Sequence, residues 1–298
     1  MNGIIIRIDS STSYVLHDEV VYTAHAKGNL KREAKPCVGD FVFFEVIDQA
    51  NKIVNIVKIN DRKTELYRPK IVNVDQVVIV TALFEPLFAS YILNKYIAML
   101  ETKHIEPILV FTKMDLLVQS NKYLEVIEKI KSYQSQNYKV IIMNNSMPEQ
   151  SSLDELKNIL ENKISVFTGQ TGAGKSSTLN NFLAHEEQIK TQEISKNLNR
   201  GKHTTTAVEL YKLPENILIA DTPGFSSFEL QDIEVEDLLF NFKFFEKYRN
   251  QCKFANCQHN NETKCAIKEA VLSKMIPQFV YEDYLKMIEE IKSRKVKY

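Results

Sequence analysis

Hydrophobic positions along the first sixty residues fall into five short runs: Ile4–Ile8, Ser13–Leu16, Val20–Thr23, Phe41–Ile47 and Lys52–Ile59. The runs are rich in β-branched and aromatic residues, and Gly39-Asp40 and Asp48-Gln-Ala-Asn51 put turn chemistry between them, so the pattern predicts strands. Five short strands in about 60 residues fit a small closed barrel of OB type, whose loops often bind nucleic acid. An SH3-like barrel is the competing arrangement.

After Asn60-Asp-Arg-Lys63 the pattern changes. From Asp75 to Gly224, apolar strands alternate with amphipathic helices. The strands are Val77–Thr81, Ile108–Thr112, Val140–Met143, Ile164–Thr168, Thr206–Tyr211 and Ile217–Ala220, and the helices include Leu93–Lys103, Tyr123–Gln134 and Leu153–Asn162. This alternation predicts a mainly parallel sheet with helices on both faces. Beyond Phe225 the strands stop. Residues 234–250 read as helical, a Cys/His cluster follows, and Pro277 separates two further helical segments.

Composition narrows the class. With 298 residues, 44% hydrophobic and 26% charged, the chain is too apolar for a disordered protein. No run approaches the ~20 apolar residues of a membrane helix; the best, Val77–Phe84, is cut by Glu85-Pro86. Met1–Arg7, followed by Asp9, lacks a signal-peptide layout, which predicts a cytosolic protein. Acids and bases balance, 38 against 38, so net charge gives no argument for a nucleic-acid partner. Such a contact must use small patches: Lys27, Lys31, Arg32 and Lys35 in one loop, or Lys243–Lys274 with seven bases and three acids. Each also reads as ordinary solvated surface.

Three motifs carry chemistry. Gly169-Gln170-Thr171-Gly172-Ala173-Gly174-Lys175-Ser176 fits G-x-x-x-x-G-K-[ST], with a strand before it and the helix Ser177–Leu183 after it. Its glycines allow backbone N–H groups to wrap a phosphate at a helix N-terminus. Lys175 is expected to reach the β- and γ-phosphates, and the Ser176 hydroxyl to hold Mg²⁺. Asp221-Thr-Pro-Gly224 ends the strand Ile217–Ala220; there Asp221 would bind Mg²⁺ through water and the Gly224 N–H would meet the γ-phosphate. Thr112-Lys113-Met-Asp115 fits the guanine-reading [NT]-K-x-D pattern, its carboxylate accepting from the ring N1–H and exocyclic amine. The base motif precedes the phosphate loop, which precedes Asp221, so the order is circularly permuted relative to Ras-like GTPases. Permutation is permissible because domain termini tend to lie close together. Separately, Cys252, Cys257, His259 and Cys265 form a Cys₃His set for one structural zinc with no open position. Cys37 reads as a buried small hydrophobe.

Barrel, permuted motifs and zinc cluster in this order resemble the ribosome-small-subunit-dependent GTPases, the RsgA/YjeQ family, over essentially the whole chain. The resemblance implies a multidomain α/β protein: an OB-type domain at 1–64, a circularly permuted P-loop GTPase domain at 65–228 and a helical zinc-binding domain at 229–298. It implies GTP and GDP with Mg²⁺ and one Zn²⁺ as ligands, and the 30S subunit and 16S rRNA as partners. It further implies a monomeric cytoplasmic enzyme acting late in small-subunit maturation, with hydrolysis stimulated by that subunit. Within Gly201-Lys-His-Thr-Thr-Thr206, where switch I belongs, family position makes Thr206 the threonine that senses Mg²⁺ and the γ-phosphate. Ras-type enzymes place a glutamine after D-x-x-G to orient the attacking water. Phe225 stands here, leaving His203 as the best local candidate, against a purely structural histidine or a group supplied by rRNA. Two departures stand out. Thr112 replaces the commoner asparagine, which predicts weaker ties around the phosphate loop, and Asn144-Asn145 stands where a serine pair is frequent. Two other readings stay open: a non-catalytic RNA-binding module, and a permuted GTPase of the large subunit, against which the barrel and zinc cluster argue.

Overall fold

The structure is a computed structural model of the chain and describes residues 1–26, 35–67, 69–186, 208–221 and 233–295. Its strands are β1 (Asn2–Asp9), β2 (Thr12–His17), β3 (Val20–Ala26), β4 (Phe41–Asp48), β5 (Ile53–Ile59), β6 (Glu65–Tyr67), β7 (Lys70–Val72), β8 (Gln76–Ala82), β9 (Glu106–Thr112), β10 (Lys139–Met143), β11 (Ile164–Gly169), β12 (Glu209–Leu213) and β13 (Ile217–Asp221). Its α-helices are α1 (Ser90–Thr102), α2 (Met114–Val118), α3 (Tyr123–Ser135), α4 (Gln150–Leu160), α5 (Lys175–Glu186), α6 (Val235–Asn241), α7 (Ala266–Leu272) and α8 (Gln278–Lys295). Two compact units contain them: Met1–Val78 with Gln150–Thr168 and Ser176–Phe225, and Ile79–Glu149 with Gly169–Lys175 and Ser226–Tyr298.

The first unit opens with the barrel. β1–β2, β2–β3 and β4–β5 pair antiparallel, β3 and β5 pair parallel, and an antiparallel β1–β4 pairing closes the circuit. This is the OB-type closure; an all-antiparallel SH3-like barrel has no β3–β5 pair of this kind. Ile5, Val15, Tyr22, Ala24, Val42, Phe44, Val54 and Ile56 fill the interior. Neighbours along each strand point outward, as a two-residue period requires. Closure also hides the strand edges that would otherwise template aggregation. Beside the barrel, the buried Asp40 carboxylate accepts from Arg62 at 2.8 and 3.0 Å and from the Cys37 N–H at 2.7 Å. Burial, reinforced by Asp40, pushes the Cys37 thiol up to about 11, so Cys37 is the inert buried residue expected. The β6–β7 hairpin is an addition; three-residue strands are too short to show a period. In the same unit, β11 runs parallel to β13, and β12 pairs antiparallel with both β13 and β1.

In the second unit β9 and β10 run parallel, with Met143 opposite Thr112. Its helices bury a polar network: Asn94 of α1 donates to Asp283 of α8 at 2.9 Å and accepts from the Tyr133 hydroxyl at 2.9 Å. The helical reading of 234–250 needs correction. A capping box of Glu234 and Asp237 starts α6, but Phe242 is extended (ψ 108°) and ends it. Short 3₁₀ turns follow at Lys243–Phe245 and Arg249–Gln251. The break has a packing reason. Phe242, Phe244 and Phe245 are all buried, and one helix face cannot take positions i, i+2 and i+3 together. α7 and α8 flank Pro277 as expected. Among the described residues, no helix is long and apolar enough to cross a membrane.

Candidate nucleotide site and metal centre

The fully buried strand β11 delivers the chain into the loop Gly169–Gly174, and α5 leaves it at Lys175. Gly169 has φ +151°, and a Cβ there would collide with the Val80 carbonyl; the loop therefore starts hard against a neighbouring backbone. Ala173 is buried, whereas Thr171, Gly172, Ser176 and Ser177 are exposed, and Gln170, Gly174 and Lys175 are partly so. The exposed face is the helix N-terminal end, where N–H groups without intrahelical partners and the helix dipole favour an anion.

The base motif lies against this loop. Thr112, buried at the end of β9, donates its hydroxyl to the Ala173 carbonyl at 2.6 Å. Asn145, two residues beyond β10, donates its side-chain amide to the Gly174 carbonyl at 3.2 Å. Threonine at 112 thus keeps one tie to the loop, and Asn145 supplies a second. Lys113 adopts a left-handed backbone (φ 59°) at the start of α2, and its ammonium group donates to the Glu85 carbonyl. Asp115 follows, exposed in the first turn of α2. The sequence marks Asn145 only as part of the Asn144-Asn145 departure, not as a tie to the loop, and no local signal marks Glu85.

Asp221 ends β13, which runs parallel beside β11 with Ala220 opposite Val166. That strand-end position is the one expected of it. Its side chain, with His203, Thr206, Gly224 and Phe225, lies outside the described residues. Of the three residues expected to hold magnesium, Ser176 is described and sits on the first turn of α5, at the mouth of the loop.

The Cys₃His set comes together. The donor atoms of Cys252, Cys257, His259 and Cys265 all lie within 4.8 Å of one another. His259 Nδ1 is 3.4 Å from the sulfurs of both Cys252 and Cys265, which are 3.9 Å apart. A tetrahedral zinc with ordinary Zn–S and Zn–N bonds would place such donors about 3.5–3.8 Å apart. The residues fit the ion, and His259 would ligate through Nδ1. Burial lowers the His259 pKa, favouring the neutral imidazole that coordination uses. Burial also pushes the Cys257 thiol up to about 12, with neighbouring sulfurs adding to it; a dication at the centre reverses that preference. The Tyr281 and Tyr284 hydroxyls of α8 clamp the cluster from outside, donating to the His259 and Gln258 carbonyls at 2.8 Å each. Glu262 accepts from the Gln258 and Asn260 N–H groups at 2.9 Å.

The basic patches divide. Lys27, Lys31 and Arg32 lie outside the described residues, and Lys35 is exposed. In the second patch Lys243 sits 4.7 Å over the Tyr138 ring, Arg249 donates to the Phe240 carbonyl and Lys268 to the Glu262 carbonyl. Lys247, Lys253, Lys264 and Lys274 are exposed, and Lys253 lies 5.4 Å from the ring of Phe254, itself 42% exposed.

A phosphate loop downstream of the base motif that holds it needs a permuted chain order, and comparison with known families supplies the decisive match. The model of the RsgA GTPase covers residues 59–231, and that of the RsgA N-terminal domain covers residues 2–54. The chain belongs to the RsgA GTPase family. The small ribosomal subunit biogenesis GTPase RsgA 2 of Oceanobacillus iheyensis is 42% identical over 298 residues, spanning 99% of both chains. The RsgA of Streptococcus agalactiae serotype V is 40% identical over 300 residues, 100% of this chain and 98% of that one. Among solved structures, YloQ, described as a circularly permuted GTPase, superposes with a TM-score of 0.82 at 32% identity, covering 100% of this chain and 96% of that one. YjeQ from Thermotoga maritima gives 0.82 at 31% identity over 97% and 98%. The RsgA fold expected from the order of motifs, barrel first and Cys₃His helices last, is thereby established, and with it the class of enzyme, a GTPase.

Proposed function

We propose that this chain hydrolyses GTP to GDP and phosphate while bound to the 30S ribosomal subunit late in its maturation, and that the subunit stimulates the reaction. The observation that carries the reading is the hydrogen bond tying the base motif to the phosphate loop, Thr112 to Ala173, with Asn145 joining the same loop at Gly174. Relatives named small ribosomal subunit biogenesis GTPases, 40–42% identical over nearly the whole chain, support the partner.

In this reading Gly169–Ser177 wraps the phosphates, and Lys175 neutralises charge developing on the transferred group. Ser176, Thr206 and Asp221 hold Mg²⁺, and the Gly224 N–H senses the γ-phosphate. Thr112, Lys113 and Asp115 serve guanine, and His203 orients the attacking water. Zinc on Cys252, Cys257, His259 and Cys265 supplies structure rather than chemistry. The three domains divide at 1–64, 65–228 and 229–298; barrel and zinc domain contact 16S rRNA, the latter with Lys253 and Phe254 as a cation beside an exposed ring. The protein works as a cytoplasmic monomer. Phosphate release from GTP, measured alone, with purified 30S subunits and with 50S subunits, is the test. Stimulation confined to 30S supports the reading; equal rates in all three overturn it.

A further inference from the structure

We propose that Asn145 is a positioning residue for phosphate binding: its side-chain amide turns the Gly174 carbonyl outward and thereby aims the Lys175 N–H at a bound β-phosphate. The inference deepens the nucleotide reading and rests on it.

A trans peptide is planar, with its C=O and the following N–H pointing in opposite directions. A donor that captures the carbonyl of one residue therefore fixes where the next residue's N–H looks. Thr112 captures the Ala173 carbonyl at 2.6 Å, which sets the Gly174 N–H. Asn145 captures the Gly174 carbonyl at 3.2 Å, which sets the Lys175 N–H. Both donors approach from the ends of the adjacent parallel strands β9 and β10, so both N–H groups turn away from those strands, the side the proposal gives to the phosphate.

The division of labour follows from donor counts. A hydroxyl has one proton, and that of Thr112 is engaged at Ala173; a second carbonyl needs a second donor, which a carboxamide supplies. Packing agrees, since a Cβ on Gly174 would lie 2.8 Å from Asn145 Nδ2 and 3.5 Å from Thr112 Oγ1. Gly174, at φ +90°, leaves room for both side chains against its backbone. Asn145 thus carries a role that the tetrapeptide Thr112–Asp115 does not complete by itself.

The experiment titrates GDP and GMP into the full-length protein, Asn145→Ala and Asn145→Asp, with thermal unfolding followed in parallel. GMP has no β-phosphate, so a tether that orients the loop matters to GDP and little to GMP. Losing one hydrogen bond of ordinary strength corresponds to about three- to tenfold weaker GDP binding in Asn145→Ala. Asn145→Asp keeps the shape but sets an acceptor against a carbonyl, so its loss of GDP affinity is larger. The double variant Thr112→Asn/Asn145→Ala restores a carboxamide next to the loop and recovers part of the GDP affinity. Unchanged GDP binding in Asn145→Ala, or equal losses for GDP and GMP, would overturn the tether while leaving the nucleotide reading intact. Failure of the parent protein to bind GDP at all would overturn both.

Discussion

Thr112 and Ala173 stand 61 residues apart in the chain and are joined by a buried hydrogen bond of 2.6 Å from hydroxyl to carbonyl. Valine has nearly the shape of threonine without the proton. Thr112→Val leaves the Ala173 carbonyl unpaired in a buried place, which costs about 1–3 kcal/mol. The expected outcome is a lower unfolding midpoint together with weaker GDP binding, read by thermal melts with and without nucleotide. An unaltered melt would mean that water or a neighbour replaces the hydroxyl.

Much of this architecture is written locally. The barrel strands, the phosphate loop and the Cys₃His spacing are each specified by residues within a few positions of one another, and all three come out of a linear reading. Asn145 does not, because its role depends on Gly174 coming into reach from 29 positions away. The break at Phe242 is invisible for a related reason: residues 234–250 have helical composition, and only the tertiary demand to bury three rings overrides it. The Asn94–Asp283 contact spans 189 positions, and nothing near Asn94 marks it as a core residue.

That contact yields a second prediction. Asn94 is fully buried and satisfies both Asp283 and Tyr133. Asn94→Leu preserves approximate volume but strips a buried carboxylate of a donor and a buried phenol of its acceptor. Each buried group left without its partner costs about 1–3 kcal/mol, so the melting temperature falls by several degrees. Asp283→Asn, which retains hydrogen-bonding groups at both ends, is expected to lose less. Calorimetry on the two variants decides the order, and equal losses would refute it.

Zinc removal is expected to act first on the segment 252–265. Three sulfurs and an imidazole are brought together there within 4.8 Å of one another, an arrangement that a bound dication holds, so metal binding supplies a large share of the local folding energy. The chain has 13 tyrosines and no tryptophan, and Tyr281 and Tyr284 bond directly to the cluster's backbone. Chelation should change tyrosine emission and near-ultraviolet dichroism and release three titratable thiols, with Cys37 reacting slowly because burial raises its pKa. A protein that contains no metal and shows no spectral change with chelator would exclude the site.

His203→Ala tests the catalytic assignment. The variant is expected to bind GTP and 30S subunits like the parent and to lose most of the stimulated rate. Phe225→Ala should lose much less, since a phenyl ring has neither donor nor acceptor for the attacking water. Single-turnover hydrolysis on 30S subunits separates chemistry from binding; an undiminished rate in His203→Ala would transfer the role to rRNA or to another side chain.

The last prediction concerns pH. The Glu101 carboxylate is enclosed between the Tyr138 hydroxyl, which donates at 2.7 Å, and the Lys243 N–H, which donates at 3.0 Å. Burial pushes its pKa up to about 7 despite these donors and the Lys243 charge, with Glu246 adding to the rise. An unfolded glutamate titrates near 4.3. Between these values the folded protein holds a proton that the unfolded chain has released. Glu101 therefore contributes stability in full below about pH 4.3, and that contribution is lost as pH rises through about 7. The whole effect is on the order of 1–3 kcal/mol after allowance for solvent near the site. Glu101→Gln cannot ionise, so the stability of the parent relative to this variant is expected to fall steadily from pH 5 to pH 8. Denaturant melts of both proteins at four or five pH values measure that difference and cancel the groups they share. A difference independent of pH would mean that Glu101 keeps an ordinary carboxylate pKa and that its two donors fully offset its burial.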